Sequence, residues 1–77
     1  MTPLQLKLAR TALGLTVHEA AELVQVSHET IVGIEAARAS IKEKTIEKVR
    51  AALEKAGVEF IDENGGGPGV RLRKARR

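Results

Sequence analysis

The residues best suited to chemistry form one run, Ser27–Thr30, which carries a hydroxyl, an imidazole, a carboxylate and a second hydroxyl in direct succession. The imidazole of His28 can donate a hydrogen bond to an acceptor on guanine or thymine, and the carboxylate of Glu29 can accept one from N4 of cytosine. Thr30 could reach a phosphate or a thymine methyl group. All of these contacts are non-covalent, so the chemistry that the run offers is recognition through hydrogen bonds, and the partner depends on the elements that position it.

The other reactive residue types do not combine into a catalytic or metal centre. His18 and His28 fall on different predicted helices, without HExxH spacing and in a chain without Cys, so we expect no metal site. The glycines at 65–67 lack the GxxxxGK[ST] form and open no helix, which favours a flexible turn over a phosphate-binding loop. Asp62 and Glu63 are adjacent acids in a predicted loop, where solvated carboxylates are the simpler interpretation. We therefore predict no enzyme, no cofactor and no small-molecule ligand.

Two short predicted helices position the Ser27–Thr30 run. The helix before it has an apolar stripe at helical spacing, and the helix that begins in it carries Ile31 and Ile34 on one face. Thr16 with Glu19 three residues later forms a capping box at the start of the first of these helices. Ser27 is a good N-cap for the second, because its hydroxyl can accept an unbonded N–H of the first turn.

The gap between these two helices is only Gln25-Val26. It is too short for an antiparallel return, so the helices must cross steeply, as in a helix-turn-helix unit whose second helix can enter a DNA major groove. Further matching positions are Arg10, Leu13-Gly14-Leu15-Thr16, Ala21, Val26-Ser27, Ile31, Ile34 and Glu35. With them, the stretch from about Leu6 to Leu53 resembles the Cro/cI-type (XRE) helix-turn-helix of phage repressors and small bacterial regulators. The resemblance implies a mainly α, four-helix, lambda-repressor-like domain.

Three positions depart from that family's pattern. Gln25 stands where the family usually has Gly in the turn, and Ala37 stands where it usually has Gly after the glutamate of helix three. Because a positive φ is costly without Gly, either the turn has a different geometry or Gln25 tolerates the left-handed region. Val17 stands where many relatives have a Gln that holds a phosphate.

The resemblance also implies a set of site residues. The base-reading positions at the start of helix three are Ser27, His28, Glu29, Thr30 and Gly33. The phosphate-binding positions are the helix-two N-terminus at Thr16, Val17 and His18, and the basic residues Arg38, Lys42 and Lys44. Gly33 is small where relatives often have a longer reader, which leaves room for the groove wall or for a neighbouring side chain. Arg10 and Glu35 are expected to form an ion pair between helices one and three.

The remaining helices enclose this unit. Helix one is predicted over Met1–Leu13, with Pro3 at its first position. Leu4 and Leu8 are either additional core, which we favour, or surface apolar groups covered by a partner. Helix four is predicted from Lys42 or Glu43 to Ala56. Its inward positions by spacing are Ile46, Val49, Ala52, Leu53 and Ala56.

A change of period follows Gly57. Residues 58–61 are rich in β-forming types, residues 62–69 form a breaker cluster, and residues 70–73 alternate apolar and basic, which predicts a β-hairpin with a long loop. We therefore divide the chain into a helical DNA-binding domain at 1–57, a hairpin at 58–73 and a basic tail at 74–77. A lone hairpin is barely stable, so it must pack on the helices or build a dimer. The candidate dimer residues are Val58, Phe60, Ile61, Val70 and Leu72.

The length and charge of the chain limit the kinds of protein it can be. A chain of 77 residues makes one small domain, and its net charge of +3 arises because residues 71–77 carry +5 and residues 1–70 carry −2. The absence of Cys and of a membrane-spanning or signal segment leads us to expect a cytoplasmic protein. The predicted function is a sequence-specific DNA-binding regulator, a repressor that binds two-fold double-stranded DNA as a homodimer. The alternative is a helix-turn-helix module that binds a protein, such as an antitoxin-like or anti-repressor component.

Overall fold

The computed structural model describes residues 1–62 and 65–73, which form four helices followed by a two-stranded antiparallel hairpin. The helices are α1 (Pro3–Ala12), α2 (Val17–Val24), α3 (His28–Glu35) and α4 (Glu43–Lys55), and the strands are β1 (Val58–Ile61) and β2 (Gly69–Leu72). The predicted mainly helical fold with a terminal hairpin is therefore confirmed. The basic tail predicted at 74–77 lies outside the described residues, as does Glu63.

Side chains at the starts of α1, α2 and α3 explain where these three helices begin. Thr2 and Gln5 form a capping box at α1, with Pro3 as the first helical residue, and Thr16 and Glu19 form another at α2. Ser27 Oγ accepts the N–H of Thr30 at 3.2 Å at the start of α3. Each cap satisfies a donor that the first helical turn leaves unpaired.

Two non-glycine residues with positive φ end α2 and follow α3. Gln25 has φ 60° and ψ 50°, and Ala37 has φ 58°. The turn thus keeps a left-handed residue despite lacking glycine. Of the two possibilities considered for Gln25, the structure has the one in which this residue adopts the left-handed region. The main-chain oxygen of Gln25 accepts a hydrogen bond from Lys48 Nζ at 3.1 Å, which links the turn to α4.

The core lies where the helices and the hairpin meet, and it contains no buried polar side chain except Gln5 among the described residues. Its buried apolar members are Leu6, Ala9, Ala20, Ala21, Val24, Ile31, Ile34, Val49, Leu53 and Val58. Three expectations about the core were wrong. Leu4 and Leu8 are 54% and 37% exposed, because β2 and α3 cover the other side of α1, and Ala56 is exposed at the end of α4.

The hairpin packs on the helices of its own chain. Val58 pairs with Leu72 and Phe60 pairs with Val70 across the strands. Val58 is 1% exposed and belongs to the core, while Phe60 and Val70 are half-buried against it. Val58 was therefore wrongly assigned to a dimer interface, since its side chain is used to join the hairpin to the helical core.

None of the helices in residues 1–62 and 65–73 combines the length and apolar character that crossing a membrane would require.

Candidate nucleic-acid interface

The first turn of α3 presents polar side chains to solvent on a helix that is anchored from its other face. Ile31 and Ile34 are 0% and 3% exposed and hold α3 to the core. Ser27, His28 and Glu29 are exposed at the leading end, and Thr30 is half-buried. The structure therefore leaves the imidazole of His28 and the carboxylate of Glu29 accessible to an approaching partner.

Two of the predicted base-reading hydroxyls are already engaged with each other. Ser27 Oγ lies 2.9 Å from Thr30 Oγ1 and also accepts the Thr30 N–H. This pairing serves the helix start, so the side chains whose hydrogen-bonding groups remain available in the first turn are those of His28 and Glu29.

Gly33 has a different role from the one expected. It is buried, and a Cβ placed there would lie 2.8 Å from Ile41 Cδ1 and 3.2 Å from Ile41 Cγ1. Of the two uses considered for its small size, the structure thus supports room for a neighbouring side chain, which is Ile41 in the loop before α4. Gly33 was therefore wrongly predicted to be a base-reading position, because it faces the interior and not the exposed surface.

The structure brings together two histidines that the sequence places on different helices. The rings of His18 on α2 and His28 on α3 are stacked, with centroids 4.1 Å apart and planes 3° from parallel. Each lies in the first turn of its helix, and the short turn sets those two helix starts side by side. This contact was missed from the sequence; its only signal was that both residues follow closely on a predicted N-cap.

The candidate phosphate contacts lie at both ends of the α2–α3 unit. At the start of α2, the Thr16 hydroxyl accepts the N–H of Glu19, and Val17 is half-buried against the core. Only main-chain N–H groups and the exposed His18 ring are then available there, and a helix N-terminus with its positive dipole end favours an anion.

At the other end, Arg38 and Lys42 follow α3 and Lys44 lies in the first turn of α4. All three side chains are exposed, and none forms a salt bridge with a carboxylate among the described residues. Three exposed cations without a carboxylate partner in the segment that follows α3 can attract a phosphate backbone.

Arg10 and Glu35 connect α1 to the C-terminal end of α3. Arg10 Nε donates to Glu35 Oε2 at 2.8 Å, and Arg10 Nη2 donates to Glu35 Oε1 at 3.1 Å. Arg10 Nη1 also donates to the Leu15 main-chain oxygen at 3.2 Å, so one guanidinium fixes both α3 and the loop before α2. The hydrogen bond to Glu35 raises the pKa of Arg10 above its ordinary value, although burial acts in the opposite direction. The guanidinium of Arg10 therefore stays charged at any physiological pH.

An open groove of about 400 Å³ lies between α2 and α4. Its lining consists of aliphatic side chains, Gln25 and two lysines, Lys48 and Lys55. The lining contains no carboxylate, hydroxyl, thiol or imidazole beside the two lysines, and Lys48 Nζ is already bonded to the Gln25 main-chain oxygen. The candidate site is the polar surface formed by the starts of α2 and α3 and by the loop after α3.

Comparison with known protein families gives a match over most of the chain. A family model described as helix-turn-helix matches residues 6–60, which run from within α1 through α4 to Phe60 in β1. The matched range contains the stacked histidines, the Arg10–Glu35 pair and the exposed cations. A search of curated protein sequences found no match.

Proposed function

This chain belongs to the helix-turn-helix family of DNA-binding regulators, of the Cro/cI (XRE) type, and on that premise we propose that it is a sequence-specific repressor. It binds a two-fold operator as a dimer and places α3 in the major groove. The observation that carries this proposal is the exposed first turn of α3, where His28 and Glu29 face solvent while Ile31 and Ile34 are buried behind them. Helices presented in this way contact base edges with their N-terminal residues.

The proposed contacts divide into two kinds. His28 and Glu29 read bases, with His28 as a donor to guanine or thymine and Glu29 as an acceptor from cytosine. Ser27 and Thr30 support them from the helix start, and their hydroxyls can turn toward the duplex if their mutual hydrogen bond opens. Phosphates are held at the α2 N-terminus by N–H groups and His18, and after α3 by Arg38, Lys42 and Lys44.

A dimer follows from the geometry of such operators. Two-fold sites place their half-sites about 34 Å apart, and one domain of this size makes few contacts alone. The hairpin leaves apolar surface exposed at Leu72, which is 43% exposed, together with what the core leaves uncovered of Phe60 and Val70 on the same face. Ile61, which is 36% exposed, adds an apolar side chain on the other face of the hairpin. Light scattering of the double variant Ile61→Lys, Leu72→Lys should show a monomer where the native chain is a dimer; a dimer of unchanged affinity would contradict this arrangement.

The central experiment is selection from randomised duplex DNA with the full-length chain. We expect enrichment of a sequence with two-fold symmetry, and we expect His28→Ala and Glu29→Ala each to flatten the preference at one position per half-site. Lys7→Ala, on the exposed side of α1, is the matched control and should leave the selected sequence unchanged. Placing the selected site over a promoter in a purified transcription reaction then tests repression directly. An increase in transcription there would contradict the repressor role.

The second candidate function is a module that binds a protein. One observation in its favour is the exposed carboxylate of Glu29 at the leading end of α3, because the phosphates of DNA would repel this negative charge. The other is the net charge of −2 over residues 1–70. The dependence of binding affinity on salt concentration distinguishes the DNA-binding function from the protein-binding one. DNA binding weakens steeply with salt because counterions are released from each neutralised phosphate. Failure to enrich any DNA sequence would favour the protein partner.

A further inference from the structure

We propose that His18 is a positioning residue for base recognition, and that it acts by stacking its ring on the ring of His28. The proposal rests on the function proposed above and adds a role that the sequence did not indicate. His28 is the residue that contacts the base edge, and His18 determines the direction in which His28 presents its ring nitrogens.

The geometry of the pair supports this role. The two centroids are 4.1 Å apart and the planes differ by 3°, so one face of each ring covers the other. An exposed side chain ordinarily samples several rotamers, and an attractive contact between aromatic faces selects among them. Imidazole hydrogen bonds lie in the plane of the ring, at its nitrogens. Parallel stacking therefore fixes the plane of His28 while leaving its ring edge free for a base.

Both rings stand on rigid supports, so the stack can transmit position. Capping bonds from Thr16 and Ser27 fix the starts of α2 and α3. Behind them, Ala20, Val24 and Ile31 are almost completely buried. A side chain held on such elements presents a more constant geometry than one on a loop.

Of the residues at the start of α2, His18 is the one whose side chain is available to contact His28. Val17 is apolar and packs against the core, and the Thr16 hydroxyl is engaged with the N–H of Glu19. The side chain of Glu19 is likewise engaged, since its Oε1 accepts the Thr16 N–H. In the first turn of α2, the His18 ring is thus the group that reaches α3.

The experiment compares two substitutions at position 18 by selection from randomised duplex DNA. His18→Phe keeps an aromatic face and removes the ring nitrogens, while His18→Leu removes the face as well. His28→Ala, measured in parallel, identifies the base pair that His28 reads. We expect His18→Leu to reduce discrimination at that base pair about fivefold or more, the lower end of what one good base contact provides. We expect His18→Phe to retain the preference there, with any loss of affinity spread evenly over all sequences.

The free protein provides a second readout. The ring protons of His28 should shift in the NMR spectrum of His18→Leu, because a ring stacked above them is removed, and should stay upfield in His18→Phe. Thermal unfolding controls for folding, which we expect to be retained because both rings are exposed.

Each outcome decides the proposal. Unchanged base preference in His18→Leu, or equal loss in His18→Leu and His18→Phe, would overturn the positioning role while leaving DNA recognition intact. A native chain that selects no sequence would instead overturn the DNA-binding function and the positioning role with it. If His18→Leu, but not His18→Phe, loses discrimination at the base pair read by His28 and keeps the preference that depends on Glu29, the result supports both DNA recognition and the positioning role.

Discussion

The side-chain amide of Gln5 donates a hydrogen bond from Nε2 to the main-chain oxygen of Gly69 at 3.0 Å, which joins residues 64 positions apart. The same nitrogen donates to the oxygen of Ile61 at 2.9 Å. Ile61 and Gly69 are paired across the hairpin, so one side chain on α1 holds both strands at the end nearest their loop. Gln5 is only 3% exposed, so water cannot readily replace it.

Replacing Gln5 with Leu should therefore lower the free energy of unfolding by about 2 kcal/mol, because two carbonyl oxygens lose their donor and the α1 cap loses its second half. Urea denaturation followed by circular dichroism measures this. Lys7→Leu on the exposed side of the same helix is the control and should change stability by less than about 0.5 kcal/mol. A loss for Gln5→Leu no larger than the control would show that the hairpin is held by its apolar contacts alone.

Glycine at either left-handed position should stabilise the chain. Gln25 and Ala37 have φ of 60° and 58°, where an L side chain costs about 1–2 kcal/mol. Part of this gain is offset because glycine makes the unfolded chain more flexible, so we expect a net gain of about 0.5–1 kcal/mol for each substitution. Ala36→Gly is the matched control, since its φ of −89° brings no relief and the change should destabilise. If Ala37→Gly and Ala36→Gly behave alike, strain at position 37 is ruled out.

Gly33 and Ile41 should be energetically coupled. Alanine at 33 would gain about 1 kcal/mol of helix propensity, but its Cβ would meet Ile41 Cδ1 at 2.8 Å. Ile41→Val removes that terminal carbon. Gly33→Ala should thus be more favourable in the Ile41→Val background than in the native chain, with a coupling of about 0.5 kcal/mol or more in a double-mutant cycle of unfolding free energies. The same cycle with Phe60→Leu in the hairpin should be additive.

Local signals in the sequence account for much of this fold. The starts of α2 and α3 depend on Thr16, Glu19 and Ser27, whose capping bonds form within three residues of each cap and can therefore be predicted without knowing the tertiary structure. Apolar spacing likewise predicts the buried faces of these helices, because burial on both follows the helical period. The strand pairing followed from the change of period after Gly57.

Features that depend on distant partners could not be predicted in the same way. The pattern of α1 alone makes Leu4 and Leu8 candidates for the core, and only the position of the hairpin decides that the Gln5 side of the helix is buried instead. The His18–His28 stack depends on the crossing of α2 and α3 and on two rotamers. Gln5 shows the same limitation, since a polar residue is expected at the surface unless its distant acceptors are known.

Removal of Arg10 should cost more than neutralisation of Glu35. Both side chains are mostly buried, and the guanidinium also holds the Leu15 oxygen. We expect Arg10→Met to lower the unfolding free energy by about 2 kcal/mol and Glu35→Gln by about 1 kcal/mol, because glutamine keeps one acceptor for Arg10. Arg71→Gln in the exposed pair with Glu59 is the control and should have little effect.

The pH dependence of this pair follows from the direction of the shift. A raised pKa means that the contribution of Arg10 is fully present below the ordinary pKa of arginine and is lost only as the pH rises through the raised value. The difference in stability between the native chain and Arg10→Met should therefore be constant from pH 6 to pH 9 in urea titrations. A difference that disappears within this range would mean that another group controls the contact.

The three exposed cations after α3 provide the most direct measure of phosphate contact. Arg38→Gln, Lys42→Gln and Lys44→Gln should each weaken binding equally for all DNA sequences and reduce the slope of log affinity against log salt by about 1. Lys55→Gln is the matched control, because Lys55 is also an exposed lysine of α4 but lies eleven residues beyond Lys44, about 16 Å along the helix. Fluorescence anisotropy of a labelled duplex at several salt concentrations measures these slopes. A slope that changes as much for Lys55→Gln as for Lys44→Gln would indicate general charge attraction and not a backbone contact localised beside α3.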